Sequence, residues 1–364
     1  MSDPASPDQP QVRVLVVDDS LVVRQILKRM LESDPDVRVV GMAAEGGEAV
    51  ELTAQLRPDL VTMDLMMPGM DGMEATERIM AYQPTPVLFF SSYFDREGMY
   101  TYLDAIAAGA LDIVEKPTLV PDKQWEAVAR PLVQKVKALA RVPVVAHIHG
   151  AHVMDRQRAY TARVGVAAGP RVDVVAIGVS SGGPRVLEEL LSALPATYAL
   201  SVLVVQHMAE GFMTGLVRWL QQRCLLPVRI AEEGDAILPR RILFAPDWAH
   251  LVVLPSGRVH LSEADPVKGH RPSVDVAFKS LAKVYGAGAA GVLLTGMGSD
   301  GALGLLAIRQ AGGVTLVQDE ESCAVFGMPR AAIELGAVQH VLPPSGLVAS
   351  LKTLHRERVR SLAR

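Results

Sequence analysis

A turn rich in serine and glycine carries the clearest chemistry in the sequence. Residues 174–184 read VVAIGVSSGGP, an apolar run that ends in a G-x-S-x-G pattern centred on Ser180. A serine held at a sharp turn between a strand and a helix can act as an exposed nucleophile. Glycine-rich turns of this kind also bind phosphate in nucleotide-binding folds. The turn alone therefore leaves three interpretations open: a nucleophile, an anion-binding loop and a plain turn.

Two residues further along the chain favour the nucleophile. His207 follows the apolar run LSVLVVQHM, and Asp300 follows the run AGVLLTGMGSDG. If these runs are parallel strands, their carboxyl ends share one edge of a sheet with Ser180, which predicts a Ser/His/Asp set. The backbone amides of the glycine-rich turns could then stabilise an oxyanion. Taken singly, His207 is more typical of a structural residue and Asp300 of a helix N-cap.

Two known patterns, the dinucleotide-binding loop and the common α/β-hydrolase, fit the sequence less well than a Ser/His/Asp set. The turn lacks the middle glycine that lets a backbone approach a pyrophosphate, and no acidic residue follows the next predicted strand. The order Ser, His, Asp along the chain also differs from the order Ser, Asp, His of the common α/β-hydrolases. The sequence therefore favours a serine nucleophile outside the common hydrolase fold.

A second group of polar residues lies in the first part of the chain. Asp18 and Asp19 follow the first apolar run, Asp64 ends the third, Ser91 follows the fourth and Lys116 follows the fifth. Parallel strands would bring all five side chains to one edge, although each alone is typical of a helix cap or a solvated charge. Three carboxylates repel one another unless a cation lies among them, and oxygen ligands suit Mg²⁺. An added phosphoryl group would find a hydroxyl and an ammonium group there.

Alternating apolar runs and amphipathic stretches must position these residues. Five runs between residues 12 and 116 predict buried strands, and a similar pattern begins again at Val172. Residues 251–263 (LVVLPSGRVHLSE) carry a Pro-Ser-Gly turn, which predicts a hairpin. The predicted fold class is α/β with two doubly wound parallel sheets, the second with a hairpin insertion. Its helices are expected near 184–193, 212–222, 275–285, 301–311 and 329–335.

Composition divides the chain into segments. We expect a disordered lead at 1–10, a first domain at 11–139, a linker at 140–171, a second domain at 172–352 and a basic tail at 353–364. The linker has poor periodicity and holds His147, His149 and His152. These histidines could bind a metal, but no carboxylate or cysteine lies near them in the sequence, which favours a solvated segment.

Charge and hydropathy exclude several classes. The chain has 364 residues, a net charge of −4 and no long basic block, which argues against a nucleic-acid partner. Its two cysteines, Cys224 and Cys323, are too few for a disulfide framework, and Cys323 is more typical of a buried thiol than of a nucleophile. The N-terminus has no signal-peptide pattern, and no apolar run approaches the roughly 18 residues of a membrane span. We expect a soluble, cytoplasmic protein without membrane insertion.

Residues 12–139 resemble a response-regulator receiver domain through their acidic residues, Ser91, Lys116 and the loop MMPGMDG at 66–72. The resemblance implies that a histidine kinase of the chemotaxis type phosphorylates Asp64. It also implies which groups bind Mg²⁺, namely Asp19, Asp64 and the Met66 carbonyl, with Asp18 in support. One position departs from the family pattern. Ile113 stands where many receivers carry a Tyr or Phe that swings inward, so we expect the signal to pass through Ser91 and the loop after it.

The motifs GVSSGG, QHM, HRPSVD, LLTGMGSDG and SCAVFGMPR occur in this order between residues 172 and 352. Together they resemble the catalytic domain of the chemotaxis methylesterase family, CheB. The resemblance implies hydrolysis of γ-glutamyl methyl esters on chemoreceptors without a cofactor, and deamidation of receptor glutamines. It also implies that the receiver domain blocks the catalytic cleft until Asp64 is phosphorylated.

The resemblance assigns roles to individual residues. It implies that Ser180 is the nucleophile, His207 the general base and Asp300 the orienting acid. The remaining site residues that it implies are the Met297 amide in the oxyanion hole, His270 and Arg271 in the cleft, and Ser181 where the family commonly has threonine. Two alternatives stay open: a receiver joined to a partner-binding module without activity, and a methylesterase-like enzyme with another target.

Overall fold

The computed structural model describes residues 11–91, 109–116, 125–142, 144 and 172–362, with only the backbone of Ser91. The chain divides into two compact units, residues 1–151 and 152–364, so the division falls inside the predicted linker. The predicted lead and the three linker histidines lie outside the described residues. Each unit is an α/β fold of its own.

The first unit is built on a five-stranded parallel sheet with the strand order β2-β1-β3-β4-β5. This order is that of a doubly wound fold whose ligands bind where the strand order reverses, outside the carboxyl ends of β1 and β3. The strands are β1 (Val12–Val17), β2 (Val37–Ala43), β3 (Leu60–Asp64), β4 (Val87–Ser91) and β5 (Asp112–Glu115). The helices within the described residues are α1 (Leu21–Leu31), α2 (Gly46–Leu56), α3 (Gly72–Tyr82) and α4 (Trp125–Leu139).

Short polar segments end the strands and start the helices of this unit. The Ser20 hydroxyl accepts a hydrogen bond from the Val23 amide, and the Asp71 carboxylate accepts one from the Glu74 amide at 2.8 Å. These caps satisfy amide groups that the first turn of each helix leaves free. Asp18 directly follows β1 and Asp64 ends β3. Because these parallel strands are neighbours, both acidic residues lie at the same edge of the sheet.

The second unit contains a seven-stranded parallel sheet with the order β14-β13-β12-β6-β7-β9-β8 and a separate antiparallel pair, β10-β11. The predicted hairpin is therefore confirmed, while β8 and β14, two edge strands of three residues each, were not predicted. The strands are β6 (Val174–Val179), β7 (Ser201–Gln206), β8 (Val228–Ile230), β9 (Ile242–Phe244), β10 (His250–Val253), β11 (Val259–Ser262), β12 (Ala289–Leu293), β13 (Val314–Gln318) and β14 (His340–Leu342).

Six helices of the second unit lie within the described residues. Five of them match the predicted stretches within a residue or two. They are α5 (Gly183–Ser192), α6 (Met213–Arg223), α7 (Val274–Tyr285), α8 (Ala302–Gln310), α9 (Met328–Glu334) and α10 (Pro344–Leu362). In the part of the chain that the structure describes, no helix is both long and apolar enough to cross a membrane.

The core of the second unit forms because its central strands are covered on both faces. Every residue of β6, β7 and β12 is buried, which explains their continuous apolar sequences. Helices α7 and α8 cross closely at Gly304, where a Cβ atom would lie 2.5 Å from the Cβ of Phe278. This close approach brings the N-terminal ends of the two helices together at the functional edge of the sheet.

The last helix corrects the predicted boundary at residue 352. Helix α10 continues to Leu362 and is packed beyond the boundary, since Leu354 is buried. The His355 Nδ1 atom accepts a hydrogen bond from the Ala199 amide at 3.0 Å, and the Arg358 guanidinium pairs with Asp173 at 2.6 Å. Residues 353–362 are therefore part of the packed second unit and not a separate tail.

Replacement of Leu354 tests this correction. Leu354→Ala should lower the free energy of unfolding of the second unit by about 2–5 kcal/mol, because it leaves a cavity under α10. Leu362→Ala is the matched control, since Leu362 is 61% exposed on the same helix. Urea unfolding followed by circular dichroism and tryptophan fluorescence measures both. Equal, small effects of the two substitutions would contradict the packed helix.

Candidate active site

Ser180 lies in the tight turn between β6 and α5. Its amide donates to the Thr295 carbonyl at 3.0 Å, and its carbonyl accepts from the Gly183 amide at 2.9 Å. Gly182 follows with φ of +79°, a conformation that side chains rarely adopt, and a Cβ there would lie 2.5 Å from the Cβ of Ala324. Glycine at position 182 is therefore required by the turn, which leaves the half-buried Ser180 side chain at the edge of the sheet.

His207 follows the neighbouring strand β7, at the same edge. Its amide donates to the Val179 carbonyl at 2.9 Å, which continues the pairing of β6 and β7. The buried Gln206 side chain donates to the Ser180 carbonyl at 3.0 Å and to the His207 carbonyl at 2.7 Å. This one amide group joins the two turns, so the backbones of Ser180 and His207 are fixed relative to each other.

Asp300 comes from the loop after β12 and is 1% exposed. Its Oδ2 atom accepts from the Val274 amide at 2.7 Å, and its Oδ1 atom accepts from the Asp275 amide at 3.1 Å and from the Ser273 hydroxyl at 2.8 Å. Burial disfavours the charge, but His207 and these two amides outweigh it and hold the pKa of Asp300 well below its usual range. Asp300 is therefore a carboxylate at neutral pH.

These contacts differ from the role that Asp300 would have as an isolated residue. The N-cap of α8 is Gly301, with φ of +91°, and Asp300 instead faces the first turn of α7. Asp275 of α7 returns the contact, since its carboxylate accepts from the Gly304 amide of α8 at 2.7 Å. The N-terminus of α7 thus binds the carboxylate of Asp300 from the loop before α8, and the N-terminus of α8 binds that of Asp275 from α7, where the helix dipole stabilises negative charge.

The His207 imidazole faces Asp300 with one edge. Its Nε2 atom lies 3.0 Å from the Asp300 Oδ2 atom, off the direction of a well-aligned hydrogen bond. Its Nδ1 atom is buried and has no hydrogen-bond partner in the described part of the chain, so the Ser180 hydroxyl is not yet hydrogen-bonded to the ring. Such catalytic contacts are often loose without substrate and tighten in its complex.

His270 lies directly against this ring. The two imidazoles are stacked, with ring centroids 4.1 Å apart and an angle of 3° between their planes. The stack places His270 beside the Ser/His/Asp cluster, while its predicted role in the substrate cleft stays a prediction. Arg271 is exposed and its guanidinium donates to the Glu263 carbonyl at 3.1 Å.

The loop after β12 approaches Ser180 from the other side. A Cβ atom at Gly296 would lie 2.7 Å from the Ser180 Cβ, so only glycine allows this approach. The Met297 amide follows at once and donates no hydrogen bond within the described residues, which leaves it available to an oxyanion. The predicted set of Ser180, His207, Asp300 and Met297 is thus brought to one edge of one sheet.

Thr295 was not predicted and connects three parts of this edge. Its hydroxyl donates to the Ser181 carbonyl at 2.9 Å and accepts from the Val325 amide at 2.9 Å, and its own amide donates to Gln318 at 2.9 Å. Ser181 itself is 3% exposed. Thr295 and Gln206 escape sequence reasoning because each makes a contact with a segment distant in the chain, Thr295 with Ser181 and Gln206 with Ser180.

The first unit carries the predicted acidic site. The Lys116 ammonium lies 3.0 Å from the Asp18 Oδ2 atom and 2.6 Å from the Asp64 Oδ2 atom. Burial raises the pKa of Asp64, and the repulsion by Asp18 adds to it, although Lys116 acts in the opposite direction. Burial likewise disfavours the Lys116 ammonium, but its two carboxylate partners outweigh that cost and raise its pKa. Lys116 therefore stays positively charged beside the two carboxylates.

The same carboxylates fit a divalent cation. One oxygen from each of Asp18, Asp19 and Asp64 lies within 4.8 Å of the others, and Asp19 is exposed to solvent. The Oδ2 atoms of Asp18 and Asp64 are buried with no hydrogen bond in the described part of the chain, apart from the ion pairs with Lys116. Hard oxygen donors of this kind suit Mg²⁺.

Three further predicted positions of the first unit can be placed to different extents. The Met66 amide donates to the Asp64 Oδ1 atom at 3.3 Å, so the loop at 66–72 folds over the carboxylate. Ile113 is 5% exposed and packs within β5, where it pairs with Phe89 of β4. The predicted role of the Ser91 side chain lies outside the described residues.

The first unit carries acidic residues and a lysine at the edge of its parallel sheet, and the second carries a Ser/His/Asp cluster. This combination defines a two-domain protein of the response-regulator class. Two family models match it in this order, the response regulator receiver domain over residues 14–125 and the CheB methylesterase over residues 175–351. The crystal structure of the Thermotoga maritima CheB methylesterase catalytic domain is 36% identical, and the match covers 50% of this chain and 97% of that one with a TM-score of 0.48.

Relatives extend the similarity over nearly the whole chain. Protein-glutamate methylesterase/protein-glutamine glutaminase 4 of Geobacter metallireducens is 44% identical over 348 residues, 95% of this chain and 100% of that one. Protein-glutamate methylesterase/protein-glutamine glutaminase 2 of Anaeromyxobacter dehalogenans is 45% identical over 352 residues, 97% of this chain and 99% of that one. The chain therefore belongs to the CheB family of protein-glutamate methylesterases/protein-glutamine glutaminases, and both resemblances seen in the sequence are confirmed.

The thiols provide a test of which group in this unit is nucleophilic. Burial, with the nearby Asp319 carboxylate, raises the pKa of Cys323 to about 12, and burial raises the pKa of Cys224 to about 11. The thiolate is the reactive form, so native Cys323 should react with iodoacetamide at pH 8 at least about 10²-fold more slowly than in urea. Its rate should rise about tenfold per pH unit.

Mass spectrometry of the alkylated chain measures both cysteines at once. The esterase activity of Cys323→Ala, which removes the thiol and keeps a small apolar side chain, is the companion measurement and should stay near that of the unaltered chain. Fast labelling of native Cys323 at pH 7, or loss of activity on its replacement in a folded variant, would contradict the inert thiol.

Proposed function

We propose that the chain hydrolyses γ-glutamyl methyl esters of chemoreceptors with Ser180 as the nucleophile, His207 as the general base and Asp300 as the orienting acid. Membership of the family supports the reaction. The observation that carries the residue roles is the convergence of Ser180, the His207–Asp300 pair and the Met297 amide at one edge of the sheet. The names of the relatives also support the deamidation of receptor glutamines at the same site.

The reaction follows from these groups. The nitrogen of His207 that does not face Asp300 takes the proton of the Ser180 hydroxyl while its oxygen attacks the ester carbonyl. The tetrahedral intermediate collapses as His207 returns the proton to the leaving group, which departs as methanol and leaves an acyl-enzyme. Water then attacks the acyl carbonyl while His207 takes its proton. His207 passes this proton to the Ser180 oxygen as the acyl bond breaks, which releases glutamate and regenerates Ser180. With a glutamine substrate, ammonia leaves in place of methanol.

Electrostatics lowers the barrier in two places. Asp300 stays ionised because the first turn of α7 donates to it, so it can stabilise the imidazolium that forms at His207. The Met297 amide is a donor for the oxygen that becomes negative in the tetrahedral intermediate, a contribution of about 10²–10³ in rate. No metal or cofactor is needed for these steps.

The first unit supplies the regulation in this proposal. A chemotaxis-type histidine kinase, or a small phosphodonor, transfers a phosphoryl group to the Asp64 carboxylate. Mg²⁺ held by Asp18, Asp19, Asp64 and the Met66 carbonyl would neutralise the charge of the phosphoryl group, and Lys116 and Ser91 would contact its oxygens. Phosphorylation then shifts the population from a blocked to an open catalytic cleft.

Adjacent serines give a direct test of the nucleophile. Ser180→Ala should lower the release of methanol from methyl-labelled receptor membranes by at least about 10³-fold, because no acyl-enzyme can form. Ser181→Ala is the matched control. It removes the same group one residue further on, where the carbonyl and not the hydroxyl is held by Thr295, so it should keep most of the activity. The reverse result would assign the nucleophile to Ser181.

Regulation is tested by removing the first unit. A chain that begins at residue 172 should release methanol faster than the full chain under the same conditions, and it should not respond to acetyl phosphate with Mg²⁺. The full chain should respond, because phosphorylation of Asp64 weakens the block. Initial rates with and without the phosphodonor measure both effects.

The substitution Asp64→Asn in the full chain separates phosphorylation from other effects of the phosphodonor. This variant should keep the low basal rate and lose the response. Equal basal rates of the full and shortened chains would remove the autoinhibition, while a response that persists in Asp64→Asn would place the phosphoryl group elsewhere.

A further inference from the structure

A second buried histidine lies behind the catalytic cluster, and the proposed reaction does not use it. His250 begins β10 and is 1% exposed. Both of its ring nitrogens are engaged by backbone groups. The Nδ1 atom lies 3.0 Å from the Ser273 amide, and the Nε2 atom lies 3.2 Å from the Asp265 carbonyl oxygen.

These two partners decide which ring nitrogen accepts a hydrogen bond and which one donates. An amide N–H can only donate, so Nδ1 must be the unprotonated acceptor. A carbonyl oxygen can only accept, so Nε2 must carry the hydrogen. The two contacts therefore assign Nδ1 as the acceptor and Nε2 as the donor of the ring.

The Ser273 amide leads directly to Asp300. Ser273 is fully buried, and its hydroxyl donates to the Asp300 Oδ1 atom at 2.8 Å. The next two amides, those of Val274 and Asp275, donate to the same carboxylate. Three donors to Asp300 therefore come from three consecutive residues, and the side chain that receives the amide of the first is His250.

We propose that His250 is a positioning residue that acts through Ser273 on Asp300, and so sets the orientation of the His207 ring. The proposal rests on the proposed function, since it concerns the same Ser/His/Asp set. His250 touches neither the substrate nor the reacting atoms. The Nδ1 atom of His250 binds the Ser273 amide and so holds the start of α7 in the position where its first turn can donate to Asp300.

In this proposal the β10–β11 hairpin supports the start of α7. Its first strand presents His250 to the turn before α7, and the Ser280 hydroxyl of α7 accepts from the Val253 amide of the same strand at 2.9 Å. The hairpin is thus attached to α7 at two points. Only the contact at His250 reaches Asp300, which allows the two contributions to be separated by substitution.

Two substitutions of His250 have side chains of similar shape, and only one of them offers an acceptor. The Oδ1 atom of asparagine can replace Nδ1 as the acceptor for the Ser273 amide, whereas leucine fills similar space without one. His250→Leu should lower kcat for methyl ester hydrolysis by about 10 to 10²-fold, the cost of a small misplacement of a catalytic group, with little change in KM. His250→Asn should restore kcat to within about threefold.

Two serines supply the comparison. Ser273 is the N-cap residue before α7 and its hydroxyl also accepts from the Val276 amide, while Ser280 lies within α7. Ser273→Ala removes the hydroxyl that contacts Asp300 and should lower kcat by a similar factor. Ser280→Ala removes the hydroxyl that contacts β10 and should leave kcat near that of the unaltered chain, even if both variants unfold at lower temperature. Equal losses of kcat in Ser273→Ala and Ser280→Ala would overturn the proposal, because they would indicate a general loss of packing.

Nitrogen NMR of the histidine rings in the full chain gives a readout besides activity. The proposal requires that Nδ1 of His250 accepts a hydrogen bond. It also requires a shift of the His207 ring resonances in His250→Leu and Ser273→Ala but not in His250→Asn or Ser280→Ala. A protonated Nδ1 in His250, or His207 resonances that no variant moves, would overturn it. If His250→Leu does not fold, the other three variants decide.

The same measurements separate this proposal from the proposed function. If the full chain shows the expected His207 shifts but releases no methanol from any methylated receptor, the positioning holds and the reaction is a different one. If methanol is released and Ser180→Ala abolishes it, while kcat and the His207 resonances ignore His250 and Ser273, the reaction holds and the positioning fails.

Discussion

The carboxylate of Asp300 at the N-terminus of α7 is the contact on which the catalytic unit depends. A buried negative charge is costly unless donors surround it, and here the first turn of a helix supplies them. The reciprocal contact of Asp275 with α8 binds the two helices into one piece. The same carboxylate lies 3.0 Å from the His207 ring, so the arrangement that holds the helices together also places Asp300 beside the proposed general base.

The parallel sheet supplies the other half of the site. Strands β6 and β7 are neighbours in the middle of the sheet, so Ser180 and His207 need only short turns to meet at its edge. Gln206 joins these turns through two carbonyl groups, and Gly296 lets the third loop approach the serine. Precise placement therefore comes from backbone contacts between loops, while the rigid strands bring the loops within reach.

Sequence reasoning succeeded where chemistry depends on strand ends. The edge positions of Asp18, Asp64 and Lys116 follow from five apolar runs, and the same logic places Ser180 with His207. It failed for contacts set by tertiary structure. Asp300 precedes α8 in the chain, yet its partners belong to α7, and nothing in the local sequence of His250 marks its contact with Ser273. The strands β8 and β14 were missed because three residues carry too little periodicity.

The pairing of Arg358 with Asp173 joins the end of the catalytic unit to its beginning, since Asp173 directly precedes β6. Asp173 lies at the amino end of the central strand β6, and the last helix binds it there through Arg358. Ser180, His207 and Asp300 all lie at the opposite edge. The Arg358–Asp173 pair is thus separated from Ser180, His207 and Asp300 by the full length of β6.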